Sequence, residues 1–522
     1  MTSSTSESVT GRGLQDPVIP GFHPDPSVCR VGADYYLACS SFEYFPGVPL
    51  FHSRDLASWK QIGNILDRPG QLPLLAAGSS GGVYAPTLRH HAGRFWMVTT
   101  NVSAQGHMIV NAVDPVGPWS DPVHVEGLPG IDPDLAWDEE GVCRLSYTTG
   151  PDDGRPGGIW QAAVDPYNGR LLEDPRWLWA GTAMAYPEAP HLYHINGLWY
   201  LLIAEGGTER GHCVSVARAP RPWGPFESCP ANPIFTHRST DSPVQSTGHA
   251  DLVQSPDGDW HMVFLATRPR GGTPGFHVLG RETFCTSVQW IDGWPAPAAL
   301  GVSALSQDSD TAARVVVRDD FDGDRLAPEW ISVRRPAESF GGLTAAPGRL
   351  SLNGDGNTLD DPLPVFVGRR QQHPHASVRA LMDAAHGRGG LAVRIDERHH
   401  YEIEAGDGRV RCTARVGPFT SEFGDVQLAA AEVLLRIDTV PSGLGFTSPC
   451  APPDTIRLGI ERGGEFTVLG EIDGRYLSTE VAGGFTGRVI GMFGHKGSVA
   501  FDWFEYRDAA DDTARRGAGQ GA

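Results

Sequence analysis

The sequence predicts an all-β protein: a five-bladed β-propeller over residues 15–302, followed by a jelly-roll β-sandwich over residues 315–507. Three observations predict it. One motif unit recurs five times, a glycine turn and a β-rich run complete each copy, and the texture of the chain changes once, near residue 303. A repeat of roughly 50–60 residues, built of short strands with periodic aromatics, is the pattern of propeller blades.

The five copies open on GFHPDPSV (Asp25), GVYAPTL (Ala85), GIDPDL (Asp132), PEAPHL (Glu188) and TGHADL (His249). A glycine follows each, at Gly32, Gly93, Gly141, Gly197 and Gly258, and then a strand: DYYLACS, RFWMVTT, VCRLSYTT, LWYLLIA and DWHMVFLA. Each copy runs on into a further strand pair, as in VPLFHSRDLASWK, HMIVNAVDPVGPWS and GIWQAAVDPYNGRLL, and the last uses HVLGRETFCTSVQW. Four antiparallel strands per blade account for that length. The innermost strands of a propeller converge on one axis, so Asp25, Asp132, Glu188 and His249 are expected to face one central pocket. Asp134 lies two residues beyond Asp132 and is assigned a turn or surface role away from that pocket. Glu205 ends a hairpin strand and does not occupy the repeat position.

Residues 1–14 read as a disordered lead, and SALSQDSDTAAR at 303–314 as a polar linker. Beyond it LAVRIDERHHYEIEAG, EVLLRIDTV, TIRLGIERGGEFTVLGEIDG and VAFDWFEYR alternate apolar and polar residues between Gly, Asp and Asn turns, with little helix. That is sandwich texture. The tail after Arg507 is poor in apolar residues and reads as disordered.

The net charge is −20, from 62 acidic against 42 basic residues. Such a surface argues against nucleic acid and against an anionic membrane as partners. The N-terminal segment has no apolar core of a secretory signal, and no run long enough to span a bilayer occurs. The eight cysteines form no CxxC pair, so structural zinc is not expected and reduced thiols are. These features predict a cytoplasmic protein with a small imported substrate; a homo-oligomer stays open.

Three carboxylates on one axis suit glycoside hydrolysis. One protonated acid must serve the leaving oxygen, one carboxylate must activate water, and a third can raise the pKa of the acid. His249 could order water, hold a carboxylate or ligate a metal. The segment PVIPGFHPDPSVCRVGADYYLACSSFEYFPGVPLFHSRDLASW resembles the opening of glycoside hydrolase family 43. More narrowly it resembles the β-xylosidase and α-L-arabinofuranosidase branch that carries a concanavalin-like C-terminal sandwich. SSGGVYAPTLRHHAGRFWMVTTN, GIDPDLAWDEEG, EAPHLYHINGLWYLLIAEGGT, STGHADLVQSPDGDWHMVFLATRP, LGRET and VIGMFGH…FDWFEY follow in register.

The resemblance implies an inverting mechanism with Asp25 as general base, Glu188 as general acid and Asp132 as the group that raises the pKa of Glu188. Inversion implies carboxyls roughly 6.5–9.5 Å apart. Arg281 resembles an arginine that contacts Asp132 and a sugar hydroxyl; its alternative is a structural ion pair. Phe42 and Tyr84 resemble aromatic walls of the sugar subsite, with core packing as the alternative for Phe42. Many relatives carry tryptophan where Tyr84 stands. Thr208 is placed in the pocket or in a turn. His249 resembles an axial histidine near which some relatives hold calcium or an ordered water. No cofactor is required, and calcium near the axis is an open expectation. The second domain is expected to pack on the propeller rim and close one side of the pocket. That favours release of single xylose or arabinose units from short oligosaccharides. The alternatives are a non-catalytic sugar-binding propeller and an arabinan-directed hydrolase. A retaining fructosidase is rejected, because its opening resembles Asn-Asp-Pro-Asn where this chain has His-Pro-Asp-Pro-Ser.

Overall fold

The computed structural model describes residues 16–152, 154–299, 316–344, 347–428, 430–443 and 448–509. The predicted lead and linker, and all but the first residues of the predicted tail, lie outside them. Five four-stranded antiparallel sheets form the propeller. Their innermost strands are Ser27–Val31, Thr87–His91, Ile131–Trp137, Glu188–Ile195 and Gln245–Gln254. Each leads through a tight hairpin into the second strand. The five predicted glycines sit in those hairpins, all with φ between +62° and +94°, a region closed to most side chains. The ring closes non-covalently: Ile19 bridges to Thr283, and the His23 amide donates to the Arg281 carbonyl.

At the axis one guanidinium touches every other blade. Arg89, on the second blade, donates to Ser27 Oγ of the first (3.2 Å), Asp134 of the third (2.8 Å), His191 Nδ1 of the fourth (2.8 Å) and Asp251 of the fifth (2.7 Å). Asp134 and Asp251 are fully buried. Asp134 is therefore no surface or turn residue, contrary to that expectation. Asp132 has φ 55°, and the strand pairing shifts register between Ile131 and Asp134. Residues two apart in a strand share a face, so both carboxylates reach the axis, Asp132 at the pocket and Asp134 at Arg89.

The second domain is a two-layered sandwich with only one helix of four residues and two short 3-10 turns among the described residues. Two very long strands, Ala376–Asp396 and Val489–Asp508, pair along their length and bend near Gly387, Gly389 and Gly497. They thereby serve both layers around a core that includes Val378, Leu391, Ile437, Leu458, Met492 and Phe501.

The two domains are joined by backbone. Tyr44–Phe45 of the propeller pairs with Ile331–Val333 of the sandwich, and the Arg334 amide donates to the Glu43 carbonyl at 2.8 Å. A shared core of Phe22, Phe42, Tyr44, Ile331, Phe366 and Phe493 fills the seam. All eight cysteines are free thiols, six of them buried.

Candidate active site

The axis opens into a pocket of about 390 Å³, within the size range of small-ligand sites. Every site residue expected from the sequence lines it: Asp25, Phe42, Tyr84, Asp132, Glu188, Thr208, His249 and Arg281. Ala85, at the second blade's repeat position, lines it too; its small side chain leaves room where the other blades place polar groups.

Three of the four polar repeat residues enter the pocket from a left-handed backbone: Asp25 (φ 56°), Asp132 (φ 55°) and His249 (φ 46°). Such conformations are unfavourable for non-glycine residues and collect at functional sites. Asp25 accepts hydrogen bonds from Ser40 Oγ (2.5 Å) and Arg281 Nη1 (3.2 Å), with His249 Nδ1 3.4 Å away. Burial opposes its charge, but Arg281 and the Ser40 hydroxyl hold its pKa below the ordinary aspartate value. Burial drives both histidines down, His249 to about 4 and His212 to about 3. At neutral pH both are uncharged, so Arg281 is the cation that keeps Asp25 ionised.

Glu188 behaves in the opposite way. Burial, and then the charge of Asp25, push its pKa up to about 7. Asp132 is also raised, first by burial, then by Glu188 and Asp25, although it accepts a hydrogen bond from the Ala189 amide at 3.2 Å. Asp132 and Glu188 titrate as a pair. The pair retains a proton near neutral pH while Asp25 does not. One pocket thus holds a carboxylate and a carboxylic acid, the division of labour that acid–base hydrolysis needs.

Arg281 bonds Asp25 and Thr208 Oγ1 (2.7 Å); it acts on Asp132 only through space. Its guanidinium also faces the rings of Phe485 (5.3 Å) and Phe42 (5.9 Å). Phe42, only 1% exposed, serves both the seam core and the pocket wall, so the two readings of it merge. Tyr84 meets Phe42 edge-on at 5.8 Å.

Phe485 was not singled out from the sequence. It comes from the sandwich, stacks on Phe42 at 6.0 Å and meets Tyr84 edge-on at 5.8 Å. Its amide donates to Ser80 Oγ on the propeller at 2.8 Å. Gly484 before it has φ +79°, and a Cβ there would stand 2.4 Å from Ser80 Oγ. The expected closure of one pocket side by the second domain is made by this residue. The only signal in the sequence was an aromatic after two glycines in GGFTG. Ser40 was missed as well, within the quoted opening segment.

Beside His249 the acidic side chain at hand is Asp25, its Oδ1 3.4 Å from Nδ1. Calcium takes about six to eight oxygen ligands. Among the described residues no three His, Cys, Asp or Glu side chains gather as metal ligands, and Asp25 is already engaged by Ser40 and Arg281.

A sequence profile of glycosyl hydrolases family 43 matches residues 14–295, and one of the beta xylosidase C-terminal concanavalin A-like domain matches residues 318–507. The chain belongs to glycosyl hydrolases family 43. It is 38% identical to the non-reducing end alpha-L-arabinofuranosidase of Bacteroides ovatus over 530 residues, covering 96% of each chain. It is also 38% identical to a xylosidase/arabinosidase of Butyrivibrio fibrisolvens, over 92% of this chain and 95% of that one. Among solved structures, a Bacteroides ovatus xyloglucan-locus family 43 protein superposes with TM-score 0.85 at 36% identity, covering 95% of this chain and 99% of that one. The xylan beta-1,4-xylosidase of Bacillus halodurans superposes with TM-score 0.84 at 30% identity, over 95% and 100%. This family 43 protein is a glycoside hydrolase whose fold, propeller and concanavalin A-like domain together, agrees with the sequence reading.

Proposed function

We propose that this family 43 hydrolase is an inverting exo-enzyme that releases terminal β-D-xylose and α-L-arabinofuranose from short oligosaccharides. The observation that carries the proposal is the opposed protonation of two carboxyl groups in one pocket: Asp25 held ionised by Arg281, Glu188 held protonated up to about pH 7. In this reading Asp25 takes a proton from water as the water attacks the anomeric carbon. Glu188 gives its proton to the departing glycosidic oxygen. Asp132 repels the charge that would form on Glu188 and so preserves the acid. Arg281, tied to Asp25 and Thr208, fixes the base, and Phe42, Tyr84 and Phe485 wall the sugar. The Phe485 wall supports action on chain ends. The names of the relatives support both pentoses.

The test is turnover of 4-nitrophenyl β-D-xylopyranoside and 4-nitrophenyl α-L-arabinofuranoside, with Glu188→Gln as the control and proton NMR of the first-formed anomer. Hydrolysis with an inverted anomer, lost in Glu188→Gln, is the expected result. Unchanged turnover in Glu188→Gln would overturn the acid assignment, and a retained anomer the inverting one.

A further inference from the structure

We propose that Tyr186 is the platform on which the leaving sugar stacks, and that it decides how far the enzyme favours a sugar over a small leaving group. The proposal rests on Glu188 as the acid. The sugar that is released lies among Asp25, Phe42, Tyr84, Phe485 and Arg281. The bond to be cut must reach Glu188, so the leaving sugar lies on the far side of that carboxyl, toward the mouth. Tyr186 lines that mouth, two residues before Glu188.

Tyr186 differs from the other aromatics of the pocket. Phe42 is 1% exposed, Tyr84 and Phe485 are half-buried, and Tyr186 is 71% exposed. Its backbone is left-handed, with φ 54°, a conformation rare for an aromatic residue. Hydrogen bonds hold it there. The Thr182 amide and hydroxyl donate to the fully buried Glu205 carboxylate, at 2.7 Å and at 3.1 and 3.2 Å. The Gly206 amide donates to the Ala185 carbonyl at 2.7 Å, and Thr148 Oγ1 donates to the Pro187 carbonyl at 2.5 Å. The ring lies against Gly207, where a Cβ would come within 3.3 Å of Cδ2. A ring on a strained backbone, left open to water, gains little from folding. Its flat face suits the C–H face of a pyranose.

Two substrates separate this role from others: xylobiose, whose leaving group is a sugar, and β-D-xylopyranosyl fluoride, whose leaving group is a single atom. If the wild type accepts only arabinofuranosides, 1,5-α-L-arabinobiose and α-L-arabinofuranosyl fluoride replace them. Tyr186→Ala should lower kcat/KM on the disaccharide about tenfold, chiefly through KM, and leave the fluoride within about twofold. Tyr186→Phe should keep the disaccharide within about twofold, because stacking needs the ring and not the hydroxyl. Equal losses on both substrates would overturn the proposal and make Tyr186 a positioning residue for Glu188. No loss on either would overturn it as well. A wild type inert on all four compounds would sink the parent reading, and that result appears before any substitution is made.

Discussion

Arg89→Met removes the guanidinium that pairs with both Asp134 and Asp251 at the axis while keeping most of the side-chain volume. Asp251 would keep Ser27 Oγ (2.7 Å), the Val28 amide (3.0 Å) and Tyr193 Oη (2.5 Å). Asp134 would keep the Leu192 amide (2.9 Å). These partners satisfy oxygens but supply no neutralising charge. Breaking one buried pair by deleting a partner costs about 3–5 kcal/mol. Two carboxylates share this guanidinium, so about 3–5 kcal/mol is the lower expectation, a large part of the roughly 5–15 kcal/mol that stabilises a domain. The sign with pH follows. In the wild type Arg89 holds Asp251 below the ordinary carboxylate value against burial, so its stabilisation is present above that value and lost in strong acid. In Arg89→Met burial acts on Asp251 without that guanidinium and lifts its pKa, so the deficit is largest at neutral pH and shrinks on acidification. Urea unfolding at pH 7 and pH 5 measures both effects, with Arg409→Met, in an exposed pair with Asp425, as a variant expected to behave like wild type. A deficit below about 1.5 kcal/mol at pH 7, or one that grows in acid, would refute the reasoning.

Two further predictions concern activity. The alkaline limb of kcat/KM should fall near pH 7, where Glu188 loses its proton, while the acid limb lies below the ordinary aspartate value because Asp25 is held low; an alkaline limb roughly two pH units higher would exclude Glu188 as the acid. Phe485→Ala should lower kcat/KM about 10- to 100-fold by removing one wall of the sugar site, with the unfolding midpoint little changed because the ring is half-buried; steady-state kinetics beside thermal denaturation would check it, and unchanged kinetics would remove the second domain from substrate binding.

The propeller was legible because each blade repeats a physical requirement: a hairpin glycine with positive φ, and an inner strand that starts at the axis. Asp25, Asp132, Glu188 and His249 were legible for the same reason. Asp134 was misplaced because residues two apart in a strand share a face, so Asp134 follows Asp132 to the axis and does not turn away from it. Ser40, Phe485 and Tyr186 carry no repeat signal. Ser40 reaches Asp25 across 15 residues and Phe485 reaches Ser80 across 405, contacts that only the tertiary fold creates. The pairing of Tyr44–Phe45 with Ile331–Val333 was equally invisible, since two residues are too few to show a period.

That seam has a consequence for the order in which the chain is made. Phe45 precedes its partner Ser332 by 287 residues, and Ser80 precedes Phe485 by 405. During synthesis the propeller half emerges first with an unpaired edge at Tyr44–Phe45 and an apolar wall around Phe22 and Phe42, the kind of surface that invites aggregation or chaperone binding. Translation must pass residue 485 before Phe485 can complete the pocket. Chains that stop before residue 485 therefore lack one wall of the site as well as a covered edge.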